Sequence, residues 1–129
     1  LLRDEIQVTE KYLFLQKSRF PDGLEVNVDI DEKYYHYAIA PLALQMLIEN
    51  AIKHNIKKQS SPLHIHVYIN GEGYLVVENN LQKIESKSST GMGLDNIIER
   101  YKFLSEKEVH INGTKNKFIV KLPLLMVNM

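Results

Sequence analysis

The stretch PLALQMLIENAIKHN, Pro41–Asn55, combines the periodicity of a buried helix with a group of polar side chains. At about 100° per residue, one half of such a helix carries only apolar residues, which are Leu44, Leu47, Ile48, Ala51 and Ile52. The other half carries Gln45, Glu49, Asn50, Lys53 and His54, with Leu42 and Met46 among them. This pattern predicts a helix from near Pro41 to about Ile56 that packs one face on a core and lines a pocket with the other.

The polar half of this helix also has a simpler interpretation, which stays open at this point. A solvated helix face often carries a glutamate and a lysine four residues apart, as Glu49 and Lys53 are. Composition alone favours a solvated face over a pocket.

Apolar and polar residues alternate on both sides of the helix, and this alternation predicts strands. It runs through residues 24–30 and 63–69, and the loop NGEG, Asn70–Gly73, predicts a hairpin to a further strand, YLVVEN, at residues 74–79. Two short strands, EVHI and KFIVKL, follow near the end of the chain, joined across NGTKN.

Two further helices complete the predicted order of elements. One covers residues 1–18 before the turn FPDG, and the other begins at Gly93, with Leu94, Ile97, Ile98, Tyr101 and Leu104 on one face. The order predicts an α+β fold, a two-layer α/β sandwich whose mixed, mostly antiparallel sheet is covered on one face by helices. We expect a single domain, residues 1–129, of which residues 1–20 form the N-terminal helix.

The bulk composition excludes several classes of protein. The 129 residues carry a formal net charge of zero, which argues against a nucleic-acid partner held by phosphate neutralisation. The chain contains no cysteine, so neither a disulfide framework nor a thiolate metal site can form. It begins in a helical pattern without a methionine, so we expect it to be part of a longer protein.

A second motif, STGMGLDNIIERY, Ser89–Tyr101, places two glycines directly before a helix. The backbone N–H groups of a first helical turn, together with the helix dipole, form an anion site, and Gly91 and Gly93 allow a phosphate to approach the backbone. The polar segment from Asn80 to about Thr90 has the composition of a lid. A flexible loop that ends at a helix start stays the alternative.

Taken together, the two motifs resemble the ATP-binding domain of sensor histidine kinases. The pattern E-N-x-x-K-H, followed by a strand, a polar loop and S-T-G-x-G-L-x-N-I, is most similar to the LytS-like family. The stretches YLFLQKSRF, Tyr12–Phe20, and FIVKLPL, Phe118–Leu124, are also similar to that family, so the resemblance covers nearly the whole chain. It implies the Bergerat fold, shared with the gyrase-type ATPases, and it implies ATP and Mg²⁺ as cofactors.

The resemblance also implies roles for individual residues. Asn50 corresponds to the asparagine that holds Mg²⁺, and Glu49 corresponds to the acid that orients or deprotonates a nucleophile. Asn96 and Arg100 either reach the phosphates or lie on the surface. The implied nucleotide-binding positions are Lys53, His54, Asn79, Asn80, Thr90, Gly91, Gly93, Leu94 and Asn96.

One departure from the family pattern lies in the stretch VVENNLQ, Val76–Gln82. Asn79 occupies the position of an aspartate that binds the adenine amino group, and Leu81 replaces the first glycine of the motif. A neutral amide presents either its oxygen or its NH₂ to a base, but the charge-assisted part of the bond is lost. A non-catalytic module that senses nucleotide through a degraded adenine pocket is therefore the alternative to a kinase domain.

The resemblance finally implies partners outside this chain. None of its five histidines has the sequence context of a phosphoacceptor, and His64, His66 and His110 are predicted to face outward from strands. We therefore expect the acceptor histidine on an upstream dimerisation domain of the same protein. A response regulator, a homodimeric parent protein and a location on the cytoplasmic side of the inner membrane are implied in the same way.

Overall fold

The computed structural model describes residues 1–55, 57–81 and 92–126. It contains three α-helices, α1 (Leu2–Arg19), α2 (Ala43–His54) and α3 (Met92–Leu104). Its five strands are β1 (Leu24–Asp29), β2 (Leu63–Ile69), β3 (Tyr74–Asn80), β4 (His110–Gly113) and β5 (Lys117–Pro123). The predicted order of elements is confirmed, with ends that differ by one or two residues. A 3₁₀ turn at Glu32–Tyr34, capped by the Asp31 side chain, was not predicted.

The five strands form one sheet in the order β1-β2-β3-β5-β4. Strands β1 and β2 are parallel, and every other neighbouring pair is antiparallel. The parallel pair needs a crossover connection, and α2 lies within it. This topology confirms the predicted mixed, mostly antiparallel sheet.

Strand β2 shows most clearly how the two faces of the sheet differ. On β2, Leu63, Ile65 and Val67 are buried in the core that α1 and α2 cover, whereas His64 is exposed on the other face. Helix α3 packs against α2 and adds Ile97 and Tyr101 to the same core. The two-layer α+β architecture is therefore confirmed. The prediction for Leu104 is not confirmed. This residue was expected on the apolar face of α3, but it is 48% exposed.

Helix α2 starts later and ends earlier than its sequence predicts. Leu42 adopts a left-handed conformation with φ of 64°, so the helix begins at Ala43 and Pro41 lies outside it. At the other end, the Lys57 Nζ donates hydrogen bonds to the carbonyls of Ile52 and Asn55. A lysine at this position satisfies carbonyls that have no partner within the helix.

The segment before α2 is tied to α3 by a buried hydrogen bond. The backbone N–H of Ala40 donates to the Tyr101 hydroxyl across 3.1 Å, and Ala40 and Tyr101 are 0% and 2% exposed. Because a buried N–H without an acceptor is costly, this single bond fixes the approach of the chain to α2.

We expect Tyr101→Phe to lower the free energy of unfolding by about 1–3 kcal/mol at pH 7, because the buried Ala40 N–H loses its acceptor. Burial raises the pKa of Tyr101 from 10.0 to about 12. The native state therefore binds this proton more tightly, and the associated stability is complete below pH 10 and is lost as the pH rises toward 12. Urea titrations from pH 7 to 12 measure both effects, and Tyr37→Phe is the control. Equal losses in the two variants would contradict the role of the hydroxyl.

Candidate functional site

The partly polar half of α2 divides into two rows of side chains. Residues four apart lie about 40° apart around a helix, so Gln45 and Glu49 form one row, and Met46, Asn50 and His54 form the other. Glu49 and Asn50 are adjacent in sequence and differ by about 100° around the helix. We call these sets the Glu49 row and the Asn50 row.

The Asn50 row lies on the side of α2 that faces α3. The guanidinium of Arg100, on α3, contacts the Met46 sulfur at 3.7 Å and donates to the Pro41 carbonyl at 2.7 Å. Asn50 and His54 are half-buried further along this row, and no residue in the described ranges hydrogen-bonds the Asn50 amide. The Asn50 side chain is thus available to a ligand, whereas Arg100 joins α3 to the start of α2.

The Glu49 row lies toward α1. The Gln45 Nε2 donates to the Glu49 Oε1 across 2.9 Å, and both side chains are half-buried. Burial raises the pKa of Tyr12 on α1, the Glu49 carboxylate raises it further, and Arg19 opposes them. Glu49 therefore lies within electrostatic reach of α1. Lys53 extends this row at an exposed position.

Asn79 lies on the helix side of the sheet near the end of β3. It is 5% exposed and pairs with Ile65 of β2 and Phe118 of β5. Its Nδ2 donates to the Asn80 carbonyl across 2.8 Å. This contact fixes the orientation of the amide, which the sequence left free to rotate, and it leaves the Oδ1 without a donor among the described residues.

Asn80 serves the opposite face of the sheet, because neighbouring side chains of a strand alternate. Its Oδ1 accepts from the backbone N–H of His64 at 2.7 Å, and its Nδ2 donates to the Pro62 carbonyl at 3.2 Å. The structure therefore places the Asn80 side chain on the face opposite the Asn79 side chain, where its bonds hold the start of β2.

The glycine motif is described only from Met92 onward. Thr90 and Gly91 lie outside the described residues, whereas Gly93 falls in the first turn of α3. Leu94 packs partly buried against the core, and Asn96 is exposed.

Two of the outward-facing histidines lie beside carboxylates on the face of the sheet away from the helices. His64 Nδ1 lies 3.0 Å from the Glu25 carboxylate, and His66 Nε2 lies 2.9 Å from that of Asp29. Across the described ranges, no group of three or more His, Cys, Asp or Glu side chains could hold a metal ion. None of the helices described combines the length and the hydropathy that a bilayer-spanning segment requires.

The contributions of α1 and of Gln45 to the surroundings of Glu49 were not predicted from the sequence. Gln45 was placed on the polar half of α2, and its spacing of four from Glu49 was a signal for the bond. No sequence signal indicated that Tyr12 would lie within electrostatic reach of Glu49, since that depends on how α1 packs against α2.

Comparisons with known proteins agree with this fold. The LytS sensor protein of Staphylococcus saprophyticus is 37% identical over an alignment of 117 positions, which covers 77% of this chain and 20% of that protein. The LytS sensor histidine kinase/phosphatase of Staphylococcus aureus strain MRSA252 is 31% identical over an alignment of 123 positions, and the match covers 82% of this chain and 21% of that protein. The chain thus spans about a fifth of the length of these relatives. No protein-family model matches it.

The structural comparison supports the same conclusion through the fold alone. The catalytic domain of the histidine kinase ThkA superposes with a TM-score of 0.56 and 14% sequence identity, covering 95% of this chain and 91% of that one. The fold is therefore that of a histidine kinase catalytic domain, and by its sequence the chain belongs to the LytS-like sensor histidine kinases.

Proposed function

We propose that this chain is the ATP-binding catalytic domain of a sensor histidine kinase. It transfers the γ-phosphoryl group of ATP to a histidine on an upstream dimerisation domain. The observation that carries this proposal is a pair of amides on the helix side of the sheet. Asn50 on α2 and Asn79 on β3 both have a side-chain oxygen without a donor in the part of the chain that the structure describes.

The donor set at Asn50 fits Mg²⁺. An amide oxygen is a suitable ligand for a hard cation that keeps most of its waters, and Mg²⁺ is commonly held by few protein groups together with substrate phosphates. Since no acidic or histidine cluster is present among the described residues, Asn50 and the phosphates of ATP would hold the ion together. When bound, Mg²⁺ supplies neutralisation of the phosphate charge.

Other residues supply orientation and charge. Lys53, which is exposed, and His54, which is half-buried, are proposed phosphate contacts at the end of α2. The backbone N–H groups in the first turn of α3, with Gly93, are proposed to bind the phosphates, and Thr90 and Gly91, which lie outside the described residues, are proposed to do the same. Glu49 orients the nucleophile or accepts its proton. Arg100 is not among the proposed phosphate contacts, because its guanidinium already bonds to Pro41 and Met46.

We extend the proposal to the longer protein that contains this domain, to its location and to its partners. Residues 1–129 form one catalytic domain, and residues 1–20 lead to it from the dimerisation domain that carries the acceptor. The parent protein is a homodimer whose catalytic domain lies on the cytoplasmic side of the inner membrane, and it passes its phosphoryl group to a response regulator. The S. aureus relative bears the name of a sensor histidine kinase/phosphatase, which supports this setting.

A nucleotide-sensing module without phosphotransfer is the second candidate, favoured by the neutral Asn79 in the base pocket. One experiment separates the two functions. Titration calorimetry measures ATP binding with and without Mg²⁺, and radiolabelled ATP is then mixed with the chain and a purified dimerisation domain of a LytS relative. A kinase domain labels the added histidine with acid-labile phosphate and labels nothing when alone. Binding without label on the acceptor would favour the sensing module, and label on the isolated chain would overturn the assignment of the acceptor.

We expect Asn79→Leu to lower ATP affinity by about fivefold and to reduce the preference for ATP over GTP. The Asn79 Oδ1 can accept a hydrogen bond from the adenine amino group, whereas guanine presents a carbonyl oxygen there and would be repelled. A neutral hydrogen bond contributes about 1 kcal/mol, which sets the expected size. Competition binding of both nucleotides measures the ratio. An unchanged ratio would show that Asn79 does not contact the base.

A further inference from the structure

The carboxylate of Glu49 is held by only one described hydrogen bond. Its Oε1 accepts from the Gln45 Nε2 at 2.9 Å, and its Oε2 has no donor within the described ranges. Both residues are half-buried, so the bond is partly shielded from competing water. One oxygen is therefore fixed and the other is available.

Helix α1 packs against α2 and lies within electrostatic reach of this carboxylate. Burial raises the pKa of Tyr12 on α1, the Glu49 charge raises it further, and Arg19, also on α1, opposes them. The Met46 side of α2, by contrast, contacts Arg100 of α3. The Glu49 carboxylate thus lies toward a different neighbouring helix from the Asn50 amide.

A purely helix-stabilising pair would have the same spacing as Gln45 and Glu49. Two observations favour a role beyond that. Both side chains are partly withdrawn from solvent, and the bond leaves one carboxylate oxygen free while fixing the other. A flexible glutamate on a solvated helix face would adopt many rotamers, and holding it in one costs conformational entropy.

We propose that Gln45 is a positioning residue that holds the Glu49 carboxylate on the α1 side of α2 with its second oxygen free for the nucleophile. This inference rests on the proposed function, in which Glu49 orients or deprotonates that nucleophile. Gln45 itself touches neither the nucleotide nor the acceptor.

The test compares Gln45→Leu with Gln45→Lys in the intact chain. Leucine keeps the bulk and helix propensity of the side chain but lacks a donor, whereas lysine retains a donor to the carboxylate. We expect Gln45→Leu to lower kcat for transfer to an added acceptor domain about tenfold to a hundredfold, with Mg·ATP affinity and Tm unchanged. Gln45→Lys should recover most of the rate. Gln7→Leu, at an exposed position of α1, is the matched control.

A spectroscopic readout tests the geometry independently of activity. Tyrosines labelled with ¹³C at Cζ, with the Tyr12 signal assigned through Tyr12→Phe, report the pKa of Tyr12 by NMR. Glu49→Gln should lower this pKa because it removes a raising charge, and Gln45→Leu should lower it because the freed carboxylate turns toward solvent.

The outcomes separate this inference from the proposed function. If Gln45→Leu leaves the pKa of Tyr12 and the kcat at the values of the unaltered chain, the positioning role is wrong even though the kinase assignment stands. If Gln45→Leu lowers the pKa of Tyr12 but leaves kcat unchanged, the positioning role of Gln45 in phosphotransfer is also wrong. If the unaltered chain neither binds Mg·ATP nor transfers phosphate, the proposed function fails, and the NMR titration alone then decides whether Gln45 holds the carboxylate.

Discussion

Replacing Asn50 with alanine is expected to weaken Mg²⁺-dependent ATP binding at least tenfold while leaving the free energy of unfolding nearly unchanged. Metal affinity or activity typically falls about tenfold to a hundredfold when a group that supports a metal site is removed. The fold loses little, because Asn50 is half-buried, no described residue hydrogen-bonds its amide, and alanine has the higher helix propensity. Titration calorimetry with and without Mg²⁺ measures the first effect, and urea titration measures the second.

Asn112→Ala is the control for this experiment. Asn112 lies on the exposed edge strand β4, so the same chemical change there should alter neither binding nor stability by a measurable amount. Equal Mg·ATP affinity in Asn50→Ala and in the unaltered chain would falsify the metal assignment. A similar loss with and without Mg²⁺ would instead indicate a direct contact to the nucleotide.

Gly23→Ala is expected to lower the free energy of unfolding by about 1–3 kcal/mol, the usual cost of overpacking a filled site. A Cβ at this buried position would lie 2.6 Å from the carbonyl carbon and oxygen of Lys57 and 2.9 Å from the nitrogen of Lys58. These are backbone atoms, so the chain after α2 must move to relieve the contact. The same movement would disturb Lys57, whose ammonium bonds to the last carbonyls of that helix.

Gly71→Ala provides a matched control in the hairpin loop between β2 and β3. A Cβ at Gly71 would meet nothing within 4 Å, so the substitution should be neutral or slightly stabilising. Urea unfolding followed by circular dichroism compares the two variants. If Gly23→Ala is no less stable than Gly71→Ala, the contact with Lys57 is relieved without cost and the close approach is unimportant.

Periodicity was sufficient to predict elements such as α2 and β2, because each of them has one face on the core. The buried residues of β2 alternate, and those of α2 fall within one half of the helix. The predicted start of α2 near Pro41 was wrong because Leu42 adopts a left-handed conformation. Leucine rarely adopts this conformation, and no local sequence pattern indicates it.

The candidate site was predictable in composition but not in arrangement. Alternation already implies that Asn79 and Asn80 face opposite sides of the sheet, so that signal was present in the sequence. The rotation of about 100° between Glu49 and Asn50 is also a property of any helix. Which helix each of them faces depends on the packing of Tyr12 and Arg100, and the orientation of the Asn79 amide depends on the Asn80 carbonyl.

The parallel pairing of β1 with β2 has a consequence for how the domain folds. The β2–β3 hairpin closes locally through Asn70–Gly73, whereas the register of Leu24 with Leu63 closes a loop that contains the whole of α2. Such non-local closure carries a larger entropy cost and is slower. We therefore expect β1 and α2 to form one cooperative unit that joins a preformed hairpin, with amide hydrogens that exchange together. The folding of α2, which carries Asn50, would then depend on β1, a strand that contributes none of the proposed ligands.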